Sequence, residues 1–328
     1  MKFMSRGMAT SLGVAAIVGS MFMASVAMAQ NRVGSVIIGT GIDAASASFV
    51  AGVKKGIFQK HGVDATFRVF QSGQEALEAV LTGQVDATAN GPFNIPPVAA
   101  RGGKIRIIAE LERSELQFGL AAKAGIKDPK NLIGKKVGTQ FNTSPDYYYR
   151  LYAQKYGLDE AKITLVNVAF PQLVPALANG DIDAFFAFEP HITRAVDTVP
   201  GAAIIHRSGH DGVMPLLVYI GASEKLYSNK PLAVAFLKGM VEAGDWANAN
   251  QDETAAMIAA EFRLKPEDAK RFVGYFDYAV RWNRNSMVEL ERVNTFMADR
   301  KLIEKTPDLS TIVILDYLKE AAPARVTQ

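Results

Sequence analysis

Small polar residues at the start of a predicted helix carry the clearest binding chemistry in this chain. Asn142, Thr143 and Ser144 precede Pro145, whose missing N–H suits the first turn of a helix. A helix N-terminus carries about half a positive charge and unpaired N–H groups, so it favours a sulfonate, carboxylate, nitrate or phosphate. Asp146 in the same turn would oppose an anion, or would meet the cationic group of a zwitterionic ligand.

A nine-residue pattern occurs twice in the chain. Residues 79–87 (AVLTGQVDA) recur as residues 176–184 (ALANGDIDA), 97 positions later. In each copy the pattern predicts a helix that ends at Gly83 or Gly180 in a left-handed turn, followed at once by a short strand. The interval is longer than the roughly 20 to 50 residues of a solenoid repeat. The duplication therefore predicts two similar lobes, with a binding cleft between them.

Short segments follow the two repeated strands, Asn90-Gly91-Pro92 in the first copy and Phe188-Glu189-Pro190 in the second. Ligands of open α/β sheets bind at the carboxyl ends of strands, so we expect these segments on opposite walls of one cleft. Asp86 and Asp183 within the repeats are expected to be structural. Glu189 could serve as a general base, or as a hydrogen-bond acceptor for ligand or hinge. No nucleophile or partner acid stands at a fixed spacing from it.

Alternating strands and helices predict an α/β fold, with a mainly parallel sheet flanked by helices in each lobe. Strands are predicted at residues 36–39, 66–70, 85–89, 105–109, 136–138, 163–166 and 182–186, and helices at residues 46–55, 74–81, 145–156, 171–178, 231–248, 252–261, 266–277, 287–299 and 310–319. Because no Pro/Gly/Ser-rich linker separates the lobes, we expect two short hinge crossings. The first lobe would comprise residues 30–117 and 215–328, and the second residues 118–214.

The N-terminus predicts export from the cytoplasm. Lys2 and Arg6 precede an apolar stretch that ends in Ala27-Met28-Ala29, which is typical of a signal peptide cleaved after Ala29. The alternative, a membrane anchor, needs about 20 uninterrupted apolar residues, and this stretch is broken by Gly and Ser. Residues 1–29 are therefore predicted to be a signal peptide, and the mature protein is expected in the periplasm.

Composition argues against several classes of function. The chain contains no cysteine, which excludes a disulfide framework, a thiolate metal site and a catalytic thiol. Its formal net charge is +3 over 328 residues, with basic runs no longer than Lys54-Lys55 or Lys135-Lys136, so a nucleic-acid partner is not expected. No metal and no cofactor are expected either.

A series of short motifs resembles the periplasmic solute-binding proteins of the nitrate/sulfonate/taurine ABC-transporter group. The motifs cover nearly the whole mature chain and lie at residues 36–39 (VIIG), 56–64 (GIFQKHGVD), 72–75 (SGQE), 83–86 (GQVD), 131–138 (NLIGKKVG), 180–184 (GDIDA) and 188–190 (FEP). The resemblance implies a type II periplasmic binding protein fold that closes on a small ligand. It also implies an ABC permease with its ATPase as partners, and we expect a monomer.

The resemblance further implies which loops contact the ligand. In the first lobe the matching positions are Gly41, Ile42, Asp43, Ala44, Ser72, Gly73, Asn90, Gly91 and Pro92; in the second they are Asn142, Thr143, Ser144, Glu189 and His191, with Asp146 beside them. Two alternatives stay open. One is an enzyme similar to the pyrimidine-forming proteins of thiamine biosynthesis, which are cytosolic and contain cysteine. The other is a binding protein that serves a sensor kinase or chemoreceptor.

Overall fold

Two sheets organise residues 32–327, the part of the chain that this computed structural model describes; the predicted signal peptide at residues 1–29 lies outside it. The strands are β1 (Gly34–Thr40), β2 (Val63–Val69), β3 (Ala87–Asn90), β4 (Ile105–Ser114), β5 (Phe118–Ala122), β6 (Lys136–Thr139), β7 (Thr164–Asn167), β8 (Ala184–Phe188), β9 (Ala203–Arg207), β10 (Leu216–Ser223) and β11 (Phe276–Asp277). Their order is β11-β4-β10-β3-β1-β2 in the first sheet and β7-β6-β8-β5-β9 in the second.

Helices flank both sheets, so the predicted α/β fold class is confirmed. They are α1 (Ala47–Lys54), α2 (Ile57–Lys60), α3 (Gly73–Leu81), α4 (Ile95–Ala100), α5 (Ser144–Lys155), α6 (Phe170–Asn179), α7 (His191–Thr198), α8 (Glu224–Tyr227), α9 (Lys230–Ala249), α10 (Gln251–Phe262), α11 (Pro266–Val273), α12 (Arg284–Asp299) and α13 (Asp316–Ala321). Within residues 32–327, no helix combines the length and the apolar character needed to cross a membrane.

Each sheet is mixed, whereas the sequence predicted mainly parallel sheets. Strand β1 pairs in parallel with β2 and β3, but β10 pairs antiparallel with both β3 and β4. In the second sheet β6 pairs in parallel with β7 and β8, while β5 is antiparallel to β8 and β9. The cause is that the chain crosses between the sheets twice. Strand β4 carries the chain towards the second sheet and its neighbour β10 brings it back, so these two strands run in opposite directions.

The two copies of the repeat adopt the same local structure. Gly83 and Gly180 both have positive φ, at 74° and 89°, as predicted for left-handed turns that end α3 and α6. In the first copy Asp86 accepts a hydrogen bond from the Ile37 N–H at 2.9 Å, and also pairs with Lys225. In the second copy Asp183 accepts one from the Lys136 N–H at 3.0 Å. Both aspartates are structural, as predicted.

Short crossings and one helix connect the sheets. The chain passes from β4 to β5 through residues 115–117 and returns from β9 to β10 through residues 208–215. Helix α12 packs on both sides: Leu290 belongs to the core beneath the first sheet, whereas Val293 and Met297 join the tyrosine-rich core of the second. The first sheet and the second are therefore joined by side-chain packing as well as by the chain itself.

Two predicted helices near the C-terminus are shorter than expected. The helix predicted at residues 266–277 ends at Val273, because Phe276 and Asp277 pair with the end of β4 as strand β11. The helix predicted at residues 310–319 begins only at Asp316. Before it, Leu309–Thr311 forms a single 3-10 turn, and Val313 pairs with Ile107 of β4, where the Ile314 N–H donates to the Ile107 carbonyl at 2.8 Å.

Gly244 in α9 gives a direct test of this packing. A Cβ atom at this position would lie 2.1 Å from the backbone oxygen of Tyr278, so the helix would have to move away from its neighbour. We expect Gly244→Ala to lower the free energy of unfolding by about 2–3 kcal/mol in chemical denaturation. Lys238→Ala, at an exposed site on the same helix, is the control. Wild-type stability for Gly244→Ala would contradict the close approach.

Candidate functional site

Three loops of the first sheet meet at the carboxyl ends of β1, β2 and β3. A Cβ atom on Gly41 would lie 3.2 Å from the Gly73 nitrogen, and one on Gly73 would lie 3.5 Å from the side-chain oxygen of Asn90. The Asn90 amide donates to the Gly73 carbonyl at 3.2 Å. Ser72 caps α3 by accepting from the Glu75 N–H at 3.2 Å. The structure thus brings the predicted first-lobe segments together, with glycines where the backbones are closest.

The loop after β1 presents one acidic and one apolar side chain to solvent. Ile42 and Asp43 are exposed, whereas Ala44 is buried and its carbonyl accepts from the Tyr278 hydroxyl at 3.1 Å. The Ser46 hydroxyl donates to the Gly41 carbonyl at 3.1 Å, which fixes the loop. The Asp43 residue retains contact with solvent, but protein atoms crowd its carboxyl group. This desolvation raises the pKa of Asp43, and the hydrogen bond from Ser46 opposes the shift.

The start of helix α5 is capped differently from the sequence expectation. Thr143 is the N-cap residue, but its hydroxyl donates to the Gln140 carbonyl at 2.6 Å and makes no cap. Asp146 instead accepts from the Asn142 N–H at 2.9 Å, with Asn142 at a φ of 63°. The Asp146 side chain is fully buried, 3.4 Å from Arg150 and 3.7 Å from Arg300. Its negative charge offsets the partial positive charge of the helix N-terminus.

Both carboxylate oxygens of Glu189 contact groups of the protein itself. One carboxylate oxygen pairs with Arg207 at 2.6 Å and accepts from the Thr193 hydroxyl at 2.8 Å, while the other accepts from the Thr193 N–H at 3.0 Å. Arg207 also donates to the Leu116 carbonyl in the first crossing, at 2.7 Å. These contacts match the hinge role that the sequence left open for Glu189. They do not favour a ligand contact or a general base.

His191 belongs to an aromatic cluster at the carboxyl end of β8. Its ring stacks on Phe170 with centroids 5.9 Å apart and meets Phe188 edge-on at 5.3 Å. Burial lowers the pKa of His191, Arg194 lowers it further, and Glu189 raises it. The imidazole is half-buried, so this wall of the second lobe offers an aromatic surface with one polar edge.

A narrow cavity of about 10 Å³ lies where the two lobes touch. Two predicted residues, Pro92 and Ser144, line it from opposite lobes. The other lining residues are Phe93, Phe118, Tyr147, Met214, Pro215, Leu216, Leu217, Glu289 and Val293. The volume is about that of a single water molecule, so a larger ligand enters only when the lobes separate or side chains turn.

Aromatic rings close this cavity. The ring of Phe93, from the first lobe, lies 6.0 Å from the ring of Tyr147 in α5 and 6.1 Å from the ring of Phe296 in α12. Tyr147 and Phe296 are 4.9 Å apart. Such edge-to-face and tilted pairs are favourable beyond the area that they bury. Opening the cleft on this side therefore requires the three rings to part.

A larger basin, of about 470 Å³, lies far from these loops, at the amino end of β1. Its rim holds Lys60 and Lys230, which pair with Glu242 and Glu320 at 2.7 and 2.8 Å. These pairs are solvent-exposed and contribute little to stability or binding. We therefore place the candidate site at the carboxyl ends of the strands and not in this basin.

Two buried carboxyl groups at the site were not singled out from the sequence. Glu289 lines the cavity and is 5% exposed; burial raises its pKa to about 7, which the nearby Arg292 partly opposes. Glu112 in β4 is fully buried. A sequence signal was present for Glu289, which lies on the apolar face of α12 beside Leu290 and Val293. Glu112 follows Glu110 and Leu111 in a mixed segment that gave no such signal.

Comparison with known proteins identifies relatives over more than half of this chain. The model of the NMT1-like family matches residues 29–262. A putative binding protein of Brucella abortus is 29% identical over 73% of this chain and 74% of its own length. The taurine-binding periplasmic protein of Escherichia coli is 22% identical over 59% of this chain and 61% of its own length.

Solved structures share the fold. The periplasmic aliphatic sulphonate binding protein SsuA from Escherichia coli superposes with a TM-score of 0.73 at 15% identity, covering 85% of this chain and 92% of that one. The fold also occurs in an enzyme. The desulfurization enzyme DSZB superposes with a TM-score of 0.65 at 16% identity, covering 89% and 99% of the two chains.

Removing Arg207 should uncover a buried charge. Arg207→Met would leave the buried Glu189 carboxyl group without its counter-charge, and we expect a loss of about 3 kcal/mol in the free energy of unfolding. The double variant Glu189→Gln/Arg207→Met should recover part of that loss. As a control, Lys104→Met breaks the exposed pair with Glu224 and should leave the unfolding midpoint unchanged. Equal midpoints for Arg207→Met and Lys104→Met would contradict this role.

Glu289 should make stability depend on pH. Its pKa in the folded protein, about 7, exceeds the ordinary 4.5, so the folded state holds the proton more tightly than the unfolded state. The resulting stabilisation is complete below pH 4.5 and is lost as the pH rises through 7. In denaturant titrations at pH 5 and pH 8, Glu289→Gln should remove roughly 3 kcal/mol of this pH-dependent loss.

The matched control is Glu291→Gln, which makes the same substitution at an exposed site on α12. It should retain the pH dependence of the wild type. The assignment to Glu289 fails when both variants, or neither, flatten the difference between pH 5 and pH 8.

Proposed function

The chain belongs to the NMT1-like family, and we propose that it is the substrate-binding component of an ABC importer. In this proposal it captures a small solute in the cleft between its lobes and delivers it to a membrane permease. The family match and the fold confirm the resemblance noted from the sequence motifs, and the relatives named as binding proteins support a solute-binding role. We propose a sulfonate-, taurine- or nitrate-like solute, or a related small molecule, as the ligand.

One observation carries this proposal. The repeated central strands β3 and β8 occupy corresponding places in the two sheets, as do β1 and β6. The segment after β3 and the start of α5 after β6 both reach the region where the lobes meet. Pro92 after β3 and Ser144 at the start of α5 line the same cavity from opposite lobes. A ligand held there would touch both lobes at once, and it would therefore stabilise the closed arrangement over the open one.

We propose that residues 30–117 with 215–328 and residues 118–214 are the two lobes and rotate about the crossings. Support comes from the contacts at the crossings, where Arg207 connects Glu189 at the end of β8 to Leu116 in the first connection. Hinge closure by such short connections is an established way in which two-lobed proteins enclose ligands.

The proposed ligand contacts are in the loops that the sequence predicted. They are Gly41, Ile42, Asp43, Ala44, Ser72, Gly73, Asn90, Gly91 and Pro92 in the first lobe and Asn142, Thr143, Ser144 and His191 in the second. Asp146 and Glu189 are reassigned to supporting roles, because their carboxylates already bind neighbouring protein groups. Ser144 has the clearest claim, since its hydroxyl-bearing side chain lines the cavity.

We further propose that the protein acts in the periplasm as a monomer and is not an enzyme. Periplasmic export rests on the signal peptide predicted at residues 1–29, and the taurine- and sulphonate-binding relatives are also named as periplasmic. The fold of DSZB keeps an enzymatic alternative in view. Recovery of the bound solute chemically unchanged after prolonged incubation separates the two; conversion of the solute would favour the enzyme.

A thermal-shift screen of the mature chain tests the binding function. The panel is taurine, alkanesulfonates, nitrate, bicarbonate, aromatic carboxylates and pyrimidine or amide solutes. A ligand at 100 times its dissociation constant stabilises the folded state by about 2.7 kcal/mol, which raises the melting temperature measurably. Failure of every solute to shift the melting temperature would contradict the proposal.

Ser144→Ala then tests the site itself. Loss of one hydrogen bond to the ligand should weaken binding by about 0.5–1.5 kcal/mol in calorimetry, with little change in stability. Ser228→Ala, at an exposed serine after α8, is the control and should bind like the wild type. Unchanged affinity for Ser144→Ala would move the ligand away from the start of α5.

A further inference from the structure

Two arginines near the contact between the lobes, the buried Arg207 and the partly exposed Arg300, are already paired with acids of the protein. Arg207 lies 2.6 Å from Glu189, and both side chains are almost fully buried. Arg300 approaches Asp146 to 3.7 Å, where Asp146 also accepts a backbone hydrogen bond. Their positive charge is therefore largely compensated by carboxylates of the protein itself. An anionic ligand would have to compete with these internal carboxylates for it.

Glu112 is an acid without a partner. It lies in β4 opposite Val218 of β10, on the two strands that lead to the crossings, and its exposed fraction is 0%. Neither carboxylate oxygen has a hydrogen-bond donor within the described chain. Burial raises its pKa well above the ordinary value, and the negative charges of Asp43 and Asp277 raise it further. The Glu112 carboxyl group therefore favours its protonated, neutral form and leaves Glu289 as the acid that can present a negative charge to the cavity.

Glu289 brings a carboxyl group into the cavity itself. Among the described residues that line the cavity it is the one carboxylate, and its neighbours there are mainly apolar or aromatic. The nearest cation is Arg292, whose guanidinium lies 3.9 Å away and is half-exposed. Arg292 thus lies beyond hydrogen-bond distance and is partly solvated, so it compensates the carboxylate only in part. Ser144 adds a hydroxyl from the facing lobe.

On the basis of the function proposed above, we propose that the cleft selects a ligand that carries a protonated nitrogen on a small apolar body. Glu289 is the carboxylate that contacts the nitrogen. A charge-assisted hydrogen bond would return to Glu289 the interaction that burial removed. A simple anion such as nitrate would instead add a negative charge beside the incompletely compensated Glu289 carboxylate. A zwitterion remains compatible, because it supplies the cation.

Matched probes test the nitrogen directly. Isothermal titration of the mature chain at pH 8 compares benzylamine with benzyl alcohol and benzenesulfonate, and taurine with ethanesulfonate. Within each set the phenyl ring or the two-carbon chain is kept while the nitrogen is present or absent. We expect each amine to bind at least tenfold more tightly than its counterparts that lack nitrogen. Equal or tighter binding of the sulfonates that lack nitrogen overturns the inference.

Variants assign the contact to Glu289. Glu289→Gln should weaken amine binding at least tenfold and leave benzyl alcohol binding unchanged, whereas Glu289→Asp should retain part of the amine affinity. The control Glu291→Gln makes the same charge change on the exposed face of α12 and should bind amines like the wild type. Amine binding that is unaffected by Glu289→Gln overturns the assignment.

The two levels of the proposal fail differently. When sulfonates or other anions bind and the amines do not, solute binding stands and the inference on the ligand's charge is wrong. When neither these probes nor any member of the wider solute panel binds, the proposed function and this inference are both contradicted. Circular dichroism of each variant confirms that a loss of affinity is not a loss of fold.

Discussion

Two carboxylate-to-amide hydrogen bonds hold the frame of this protein. Asp86 accepts from the Ile37 N–H and donates its own N–H to the Ile37 carbonyl; Asp183 makes the same pair of bonds with Lys136. Because side chains alternate along a strand, a slip of one residue would turn every side chain of β3 or β8 to the opposite face. These bonds therefore decide which side chains arrive at the cleft. The two copies of the repeat therefore share a hydrogen-bonding pattern as well as a sequence pattern.

The frame also limits how the cleft can open. Helix α12 contacts the first core through Leu290 and the second through Val293 and Met297, so it cannot follow both lobes when they separate. Its contacts with the second lobe are apolar, and apolar contacts lack the directionality of hydrogen bonds. At the other end, Ser286 donates to the fully buried Glu110 at 2.5 Å. Packing of this kind favours motion of α12 with the first lobe, its apolar face sliding over the second.

Sequence was a good guide to the elements and a poorer one to their ends. The glycine turns, the central strands and the α5 start follow from local rules that need no tertiary information. The mixed sheets do not, because strand direction depends on where β10 returns from the second lobe. Leu309–Thr311 forms a single 3-10 turn and the helix begins only at Asp316, while Val313 and Ile314 pair with Ile107. Long-range pairing decided the strand directions, whereas in the C-terminal segment the prediction overlooked the local preference of the β-branched residues 311–314 for extended backbone.

For the site, the sequence located the loops but not the chemistry inside them. Position along a strand predicts that Pro92 and Ser144 reach the cleft, because strand ends are set by the frame. Whether a carboxylate in the cleft is free depends on partners far away in the chain. Arg207 pairs with Glu189, and Arg300, which comes more than 150 positions after Asp146 in the chain, approaches the Asp146 carboxylate. No local spacing could reveal that Asp146 and Glu189 already contact protein groups.

The same separation explains how one fold serves different ligands. The bonds that position the loops run from Asp86 and Asp183 to backbone groups, so they do not depend on which side chains follow the strands. Side chains such as Glu289 contribute little to the frame, and burial of its carboxyl group even opposes folding at high pH. A group that destabilises the protein while it lines a cavity is more readily understood through a ligand than through the fold. The charge of the cleft is therefore the property from which its ligand should be sought.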